Sequence, residues 1–449
     1  MKKNIGITLL LAFNLQLSAQ QSTLAQKLDE YLLSLAVAHQ FNGTVLVAVK
    51  GQIVLQKGYG WKNAAANSFN DANTIFQIGS GTKPFTATVI LKLQEQGKLS
   101  VQDKISTYLP AYPGGDRITI ENLLTNTSGV PGYNVEETDT IAWTPVSKEL
   151  ILGLFENSPL EFTPGSTYKY SNAGYFLLGM IIEKVTGESY EQAVRNMIFA
   201  PLQMTHSGFD FINSKDSIKA TGYAKMNDTE QRPAHLIDSS VSYSAGAMYS
   251  TTGDLFKWVS SFTNNKLLSA DDWKKAFTPY KENYGDGFFI DSINGENYIG
   301  HPGGIMGFGS YFTYFPKKEV TIILLSNFFD ETNLITLPVQ ELSAIVFNKP
   351  YSLYQQKQTV AINDTVFNQY TGTYALSGNP RRTMMIAKEN NQPVTIIYGQ
   401  ATLHMVFQTD TKFLFKELPG AAGEFIVAAG KPTKMLISQN GLFEWIKIK

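Results

Sequence analysis

Two β-prone runs near the start of the chain, and two more far downstream, restrict the fold more than any other feature. Gly43 to Val49 and Gln52 to Lys57 flank Lys50-Gly51, the pattern of a hairpin. Gly309 to Phe315 and Val320 to Ser326 flank a second turn, Pro316-Lys317-Lys318-Glu319. Helical patterns lie around and between them. Leu24, Leu28, Leu32 and Leu35 space a first helix, and Phe85, Val89, Ile90 and Leu93 mark one face of a second that stops at Gly97. An apolar run from about Gly174 to Lys184 ends at Thr186-Gly187, and Leu337 to Phe347 forms a last helical segment. Hairpins at both ends with helices between them predict an α+β fold whose N- and C-terminal parts share one antiparallel sheet.

Beyond Asn348-Lys349-Pro350 the rhythm changes. Short strand-like runs (Thr383 to Ala387, Val394 to Tyr398, Leu403 to Gln408, Lys412 to Lys416, Glu424 to Ala428, Lys434 to Ser438, Leu442 to Lys449) follow one another closely, the signature of a small all-β barrel or sandwich. A chain of 449 residues also exceeds what one core usually serves. The expected division is a large domain over residues 20–352 and a small one over 353–449. Residues 1–19 read as a secretory signal peptide: Lys2 and Lys3, an apolar stretch from Ile5 to Leu17 too short to span a bilayer, then Leu17-Ser18-Ala19. Export from a bacterial cytoplasm, to the periplasm or the medium, is the expectation.

Composition removes several classes of function. Cysteine is absent, which excludes disulfides, thiolate nucleophiles and zinc-thiolate sites. Five scattered histidines give no metal-ligand spacing, and no cofactor motif is present. A net charge of -1 without a basic run argues against nucleic acid as a partner. The oligomeric state is not legible.

Three short motifs carry chemistry when taken in order: Ser80-Gly81-Thr82-Lys83, Tyr170-Ser171-Asn172 and His301-Pro302-Gly303. Ser80 and Lys83 stand three apart at a helix start, so their side chains can meet on one face. A serine hydroxyl needs a base, and Lys83 can serve if burial lowers its pKa. Tyr170 beside an ammonium would have its ionised form favoured and could relay the proton to a leaving group. Asn172 offers a donor and an acceptor, one for Lys83 and one for a substrate amide. His301 is expected on a short edge strand bordering a cleft, because Pro302 has no N–H for a ladder. Gly304 N–H would then face the open side and complete an oxyanion hole with Ser80 N–H. Each motif also has a bland reading: Ser80 as a helix cap, Tyr170 as a core tyrosine, His301 as a turn residue. Ser166-Thr167-Tyr168-Lys169 repeats the first pattern and His206-Ser207-Gly208 the third, so the ordered set, not any member, carries the reading.

With these residues the chain resembles the serine β-lactamase-like hydrolases: class C β-lactamases, D,D-carboxypeptidases, D-aminopeptidases and related esterases. The similarity runs from about Gly43 to Phe347. It includes Phe76-Gln77-Ile78-Gly79-Ser80, Leu123-Leu124-Thr125-Asn126-Thr127-Ser128-Gly129-Val130-Pro131, Pro164-Gly165 ahead of Tyr170, and Gly246-Ala247-Met248-Tyr249-Ser250-Thr251-Thr252-Gly253-Asp254-Leu255. The C-terminal part is similar to lipocalin-like barrels appended to some of these hydrolases. The resemblance implies a β-lactamase/transpeptidase-like fold, with Ser80 acylated, Lys83 and Tyr170 managing its proton, Asn172 binding substrate, and His301 with Gly303 forming the third motif.

Two departures stand out. Many β-lactamases carry Lys where His301 stands, and relatives often show His where Asn126 stands, in a segment read here as structural. An unperturbed imidazole has a pKa of about 6.5, so His301 would hold a substrate carboxylate only in acid. The expected activity is therefore hydrolysis, through an acyl-enzyme, of an ester or a small peptide, D-amino-acid peptides included. A β-lactamase and a non-catalytic penicillin-binding sensor or binding protein are the alternatives.

Overall fold

The computed structural model describes residues 23–133, 141–227, 229–328, 336–354, 360–397, 401–418, 421–428, 430–438 and 442–449. The expected signal peptide lies outside them. Six strands make the main sheet: β1 (Gly43–Val49), β2 (Gln52–Tyr59), β3 (Phe289–Ile293), β4 (Glu296–Ile305), β5 (Phe308–Phe315) and β6 (Val320–Ser326). Their spatial order is β2-β1-β6-β5-β4-β3, every neighbouring pair antiparallel. The register from Gly43↔Ser326 to Val49↔Val320 joins the two ends of the domain in one sheet, as the hairpin pattern predicts.

Helices cover both faces of that sheet, which explains why β1 and β6 are apolar almost throughout rather than alternating. Successive side chains of a strand point to opposite sides. Val45 and Val47 pack with Leu28, Leu32 and Leu35 of helix α1 (residues 23–37), while Leu46 and Ala48 join the larger cluster on the other side. That cluster holds helices α2 (Lys83–Glu95) and α3 (Asn172–Thr186). Helix α4 (Ser239–Gly246) packs there too, and α5 (Thr336–Val346) joins α1 on the opposite face.

Helix α2 differs from the sequence expectation of a single apolar face. It is buried nearly all round, because its apparent polar positions are threonines satisfied internally. Thr86 Oγ1 donates to Ser244 O (2.7 Å) and meets Tyr190 Oη (2.7 Å), and Thr88 Oγ1 donates to Pro84 O (2.8 Å). A hydroxyl with a partner costs little to bury, whereas one without costs a large part of its desolvation.

The chain separates into two compact units, the first ending at Tyr354. In the second, eight strands from Gly372–Leu376 to Leu442–Lys447 form a closed barrel, the last pairing with the first at Tyr374↔Lys447. Phe413, Phe425, Met435 and Trp445 fill its interior, alongside Phe367 and Tyr370 of the preceding helix. The strand spacing predicts seven of these strands. It misses Gly372–Leu376, which follows a helix directly and starts at a glycine (φ 132°) where a Cβ would lie 2.0 Å from Lys449 O.

Because each unit has its own apolar core, a chain ending at Tyr354 is expected to melt cooperatively and to retain hydrolysis of a small ester. Insolubility of that shortened chain, or loss of its calorimetric transition, would show that the cores are not independent.

Candidate active site

Ser80 lies in a 3-10 turn, Gly79–Thr82, that runs straight into α2. Close backbone packing holds that turn. Gly79 has φ 50°, and a Cβ there would come within 2.6 Å of Gly304 O; a Cβ on Gly303 would lie 2.0 Å from Ile78 O. Only glycines allow β4 to approach so near. Ser310 Oγ donates to Ile78 O (2.7 Å), Ile78 N to Met248 O (2.9 Å), and Thr82 Oγ1 to Gly79 O (2.7 Å). The motif glycines of β4 thus act first through space, by fixing the turn that carries Ser80.

Lys83 is fully buried, with Nζ 3.0 Å from Ser80 Oγ, 2.8 Å from Asn172 Oδ1 and 2.8 Å from Ala245 O. Among the described residues no carboxylate pairs with it. Burial without a counter-charge drives its pKa well below the ordinary lysine range. A neutral amine has two N–H bonds and one lone pair. Its carbonyl neighbours, Asn172 Oδ1 and Ala245 O, can only accept, so they take both hydrogens and the lone pair faces the Ser80 hydroxyl. That is the geometry of a general base on a serine.

Tyr170 and Asn172 bracket the start of α3. Ser171 caps that helix, accepting from Gly174 N, so Asn172 is its first residue. Asn126 (φ 55°) secures the approach: its backbone oxygen accepts from Lys169 N (2.9 Å) and its Oδ1 from Ser171 N (3.1 Å). Those two bonds span Tyr170 on either side. The Tyr170 ring lies 4.8 Å from Lys83 Nζ. Here the structure corrects the expectation of an ionised phenol. Burial pushes the Tyr170 hydroxyl up, with a smaller opposing pull from Ser80, so it stays protonated and can donate.

His301 is corrected more strongly. It sits on a ten-residue strand, not a short one, and its side chain is only 1% exposed. The edge expectation does describe the backbone: β3 pairs with β4 only as far as Gly300↔Phe289, leaving His301 onward without an outer neighbour. The imidazole packs against Tyr284, Phe289 and the Tyr170 ring (6.2 Å). Its Nδ1 lies 2.5 Å from Pro302 O, an acceptor only, so Nδ1 carries the proton and Nε2 accepts from Tyr284 Oη (3.2 Å). Burial and the nearby Lys83 lower its pKa to about 3. His301 is therefore neutral at working pH and belongs to the aromatic wall beside Tyr170.

A small cleft of about 130 Å³ opens beside these groups. Ser80, Asn172 and Gly304 line it with Tyr133, Ile237 and Ile305; His301 and Gly303 do not. Both residues of the expected oxyanion hole thus border one space, and among the described residues no charged side chain lines it. The rival Ser166 is exposed, donates to Thr163 O (2.6 Å), and its Lys169 pairs with Glu161 (2.5 Å). Sequence reasoning missed the Ala245 carbonyl, Tyr284 and Tyr175, whose hydroxyl donates to Leu124 O (2.8 Å) beneath Lys83. No residue spacing marks them, since their roles arise only when distant segments pack.

The family model described as Beta-lactamase matches residues 23–341. The chain is 34% identical over 334 residues to the putative penicillin-binding protein PbpX of Bacillus subtilis (strain 168), covering 74% of this chain and 79% of that one. The octameric penicillin-binding protein homologue from Pyrococcus abyssi matches in fold with a TM-score of 0.67 at 24% identity, covering 94% of this chain and 99% of that one. The D-stereospecific amidohydrolase from Streptomyces sp. matches with a TM-score of 0.58 at 25% identity, covering 67% and 94%. Ser80, Lys83, Tyr170, Asn172 and the β4 glycines all fall inside the matched span, and this chain belongs to the β-lactamase family, as a serine hydrolase of that fold.

Proposed function

We propose that this protein is an exported hydrolase that forms an acyl-enzyme on Ser80 and releases it to water, acting on uncharged esters or small amides, those of D-amino acids included. The observation that carries this reading is the 3.0 Å contact between Ser80 Oγ and a buried Lys83 with no counter-ion among the described residues. Ser80 Oγ adds to the carbonyl carbon while its proton passes to Lys83 Nζ. The developing oxyanion faces the N–H groups of Ser80 and Gly304. The leaving group departs with a proton supplied through Tyr170, which Lys83 restores. Water then attacks the Ser80 ester, and the acid is released as the serine hydroxyl re-forms. Export rests on the N-terminal sequence pattern; no helix among the described residues is long and apolar enough to cross a membrane.

The absence of a charged side chain along the described cleft wall favours neutral substrates over penicillins, whose carboxylate would find no cation there. The D-stereospecific relative supports amides of D-amino acids as one class to test.

A fluorophosphonate adduct should map to the peptide containing Ser80 and vanish in Ser80→Ala; label on the Ser166 peptide would displace the assignment. Lys83→Ala and Tyr170→Phe should each lower kcat/KM by about 10²–10⁴-fold. Since they serve one proton path, the double variant should fall little below the worse single; a loss equal to the product of the two would make them independent.

His301 gives a pH prediction whose sign is fixed. Its folded pKa, about 3, lies below the ordinary imidazole value of 6.5, so the folded state excludes a proton that the unfolded state takes up. Its contribution to stability is present above 6.5 and is lost as pH falls toward 3. His301→Gln should therefore flatten the fall in Tm across that window. Over the same range kcat/KM for p-nitrophenyl acetate and for nitrocefin should follow parallel profiles, because no third-motif cation appears. An optimum displaced to acid for nitrocefin alone would show that His301 does gain charge.

A further inference from the structure

One buried side chain touches several parts of the site without a place in the proton path. Tyr284 is fully buried and lies in the loop ahead of β3. Its ring stands edge-on to Tyr170 (centroids 6.4 Å apart, planes at 88°) and packs with Tyr168 (5.7 Å) and Phe289 (4.8 Å). It also meets the imidazole of His301 (5.9 Å). Tyr284 therefore joins the segment that carries Tyr170 to strand β4.

The backbone around Tyr284 is built to hold that ring. Tyr284 N donates to Lys281 O (2.9 Å) across a turn whose two central residues, Glu282 (φ 48°) and Asn283 (φ 59°), are both left-handed. Two glycines then bracket Asp286. A Cβ on Gly285 would lie 2.3 Å from Ala276 O, and one on Gly287 (φ 88°) would lie 2.6 Å from Ala87 Cβ of α2. The loop is thus pressed against the helix that carries Lys83, which sets where Tyr284 sits relative to the base.

The Tyr284 hydroxyl adds direction. His301 Nδ1 gives its proton to Pro302 O, so Nε2 is an acceptor, and Tyr284 Oη donates to it at 3.2 Å. The neighbouring Tyr175 hydroxyl, 3.5 Å away, donates to Leu124 O instead. With both ring nitrogens bonded, the imidazole is fixed in orientation, and it lies 6.2 Å from the Tyr170 ring. The Tyr170 hydroxyl meets Ser80, and how a phenol reaches depends on where its ring is held. We propose that Tyr284 is a positioning residue for Tyr170: by its ring directly, and by its hydroxyl through His301, it holds the phenol where it can pass a proton to the leaving group. This rests on the hydrolase reading and assigns a further residue to the same site.

Leaving groups differ in their need for that proton. p-Nitrophenolate departs as an anion, whereas benzyl alcohol must take up a proton as it leaves, and the two acetates give the same acyl-enzyme. The quantity to measure is kcat/KM for benzyl acetate divided by that for p-nitrophenyl acetate, a ratio independent of the folded fraction in a sample. Tyr284→Phe keeps the ring and removes the hydroxyl; it should lower the ratio about tenfold, within the cost of a small misplacement. Tyr170→Phe should lower it further, and adding Tyr284→Phe to Tyr170→Phe should change nothing more, because the one acts through the other. A ratio unchanged in Tyr284→Phe, equal losses on both esters included, overturns the assignment and leaves the hydrolase reading intact. So does a further fall in the double variant. If Tyr284→Phe yields no folded protein, His301→Phe breaks the same hydrogen bond from its acceptor side, and the same fall is expected; loss of the fold in both variants overturns the assignment. If wild type hydrolyses neither ester, or Tyr170→Phe leaves the ratio unmoved, the proposed proton path itself fails, and the role of Tyr284 with it.

Discussion

The site depends on keeping one lysine dry. Lys83 Nζ is surrounded by Ser80 Oγ, two carbonyl oxygens and the rings of Tyr170 and Tyr175, with no carboxylate paired to it among the described residues. A carboxylate at that distance would return the amine to its charged form and remove its lone pair from Ser80. The fold meets this requirement by burying α2 on nearly every side, and the internal bonds of Thr86 and Thr88 make that burial tolerable. Helix packing and basicity are thus one constraint: loosening the contacts of α2 would let water reach Lys83 and restore its charge.

Geometry at Ser80 follows from a second constraint, the closeness of two backbones. The Gly79–Thr82 turn and strand β4 approach until neither Gly79 nor Gly303 has room for a Cβ. Rigid placement of this sort keeps a nucleophile near its attack position without reorganisation. It also explains how the third motif can begin with His301 and still serve. What β4 gives the site is its backbone at Gly303 and Gly304, together with an aromatic wall on its covered side, and neither needs a charge at His301.

Legibility in the sequence divided along physical lines. The hairpins, the helices, the shared sheet and most of the barrel strands could be read because each rests on local periodicity. Ser80 with Lys83, and Tyr170 with Asn172, could be read because a helix turn or a loop brings near neighbours together. Protonation states could not. Tyr170 was expected ionised and His301 titratable, and both expectations failed because desolvation, which depends on segments remote in sequence, is the largest cause acting on each. The carbonyl of Ala245 was also invisible, since every residue carries such a group and only the fold decides which one is aimed at an amine.

Tyr243 shows how these constraints meet. To face Lys83 with a carbonyl at Ala245 and Thr86 with another at Ser244, the chain must turn more sharply than a helix allows, and the turn falls on a residue with a side chain rather than on a glycine. A glycine would adopt such a conformation more easily, yet it would also free the unfolded chain and soften the corner. The Tyr243 ring instead packs against Phe176 and Tyr190, and Gly179 opposite it has no room for a Cβ, which lies 2.5 Å from the ring. Packing around the ring holds the strained backbone in place. The same corner that completes the surroundings of Lys83 therefore fixes the wall of the cleft, so the base and the substrate-binding surface are set by a single local distortion.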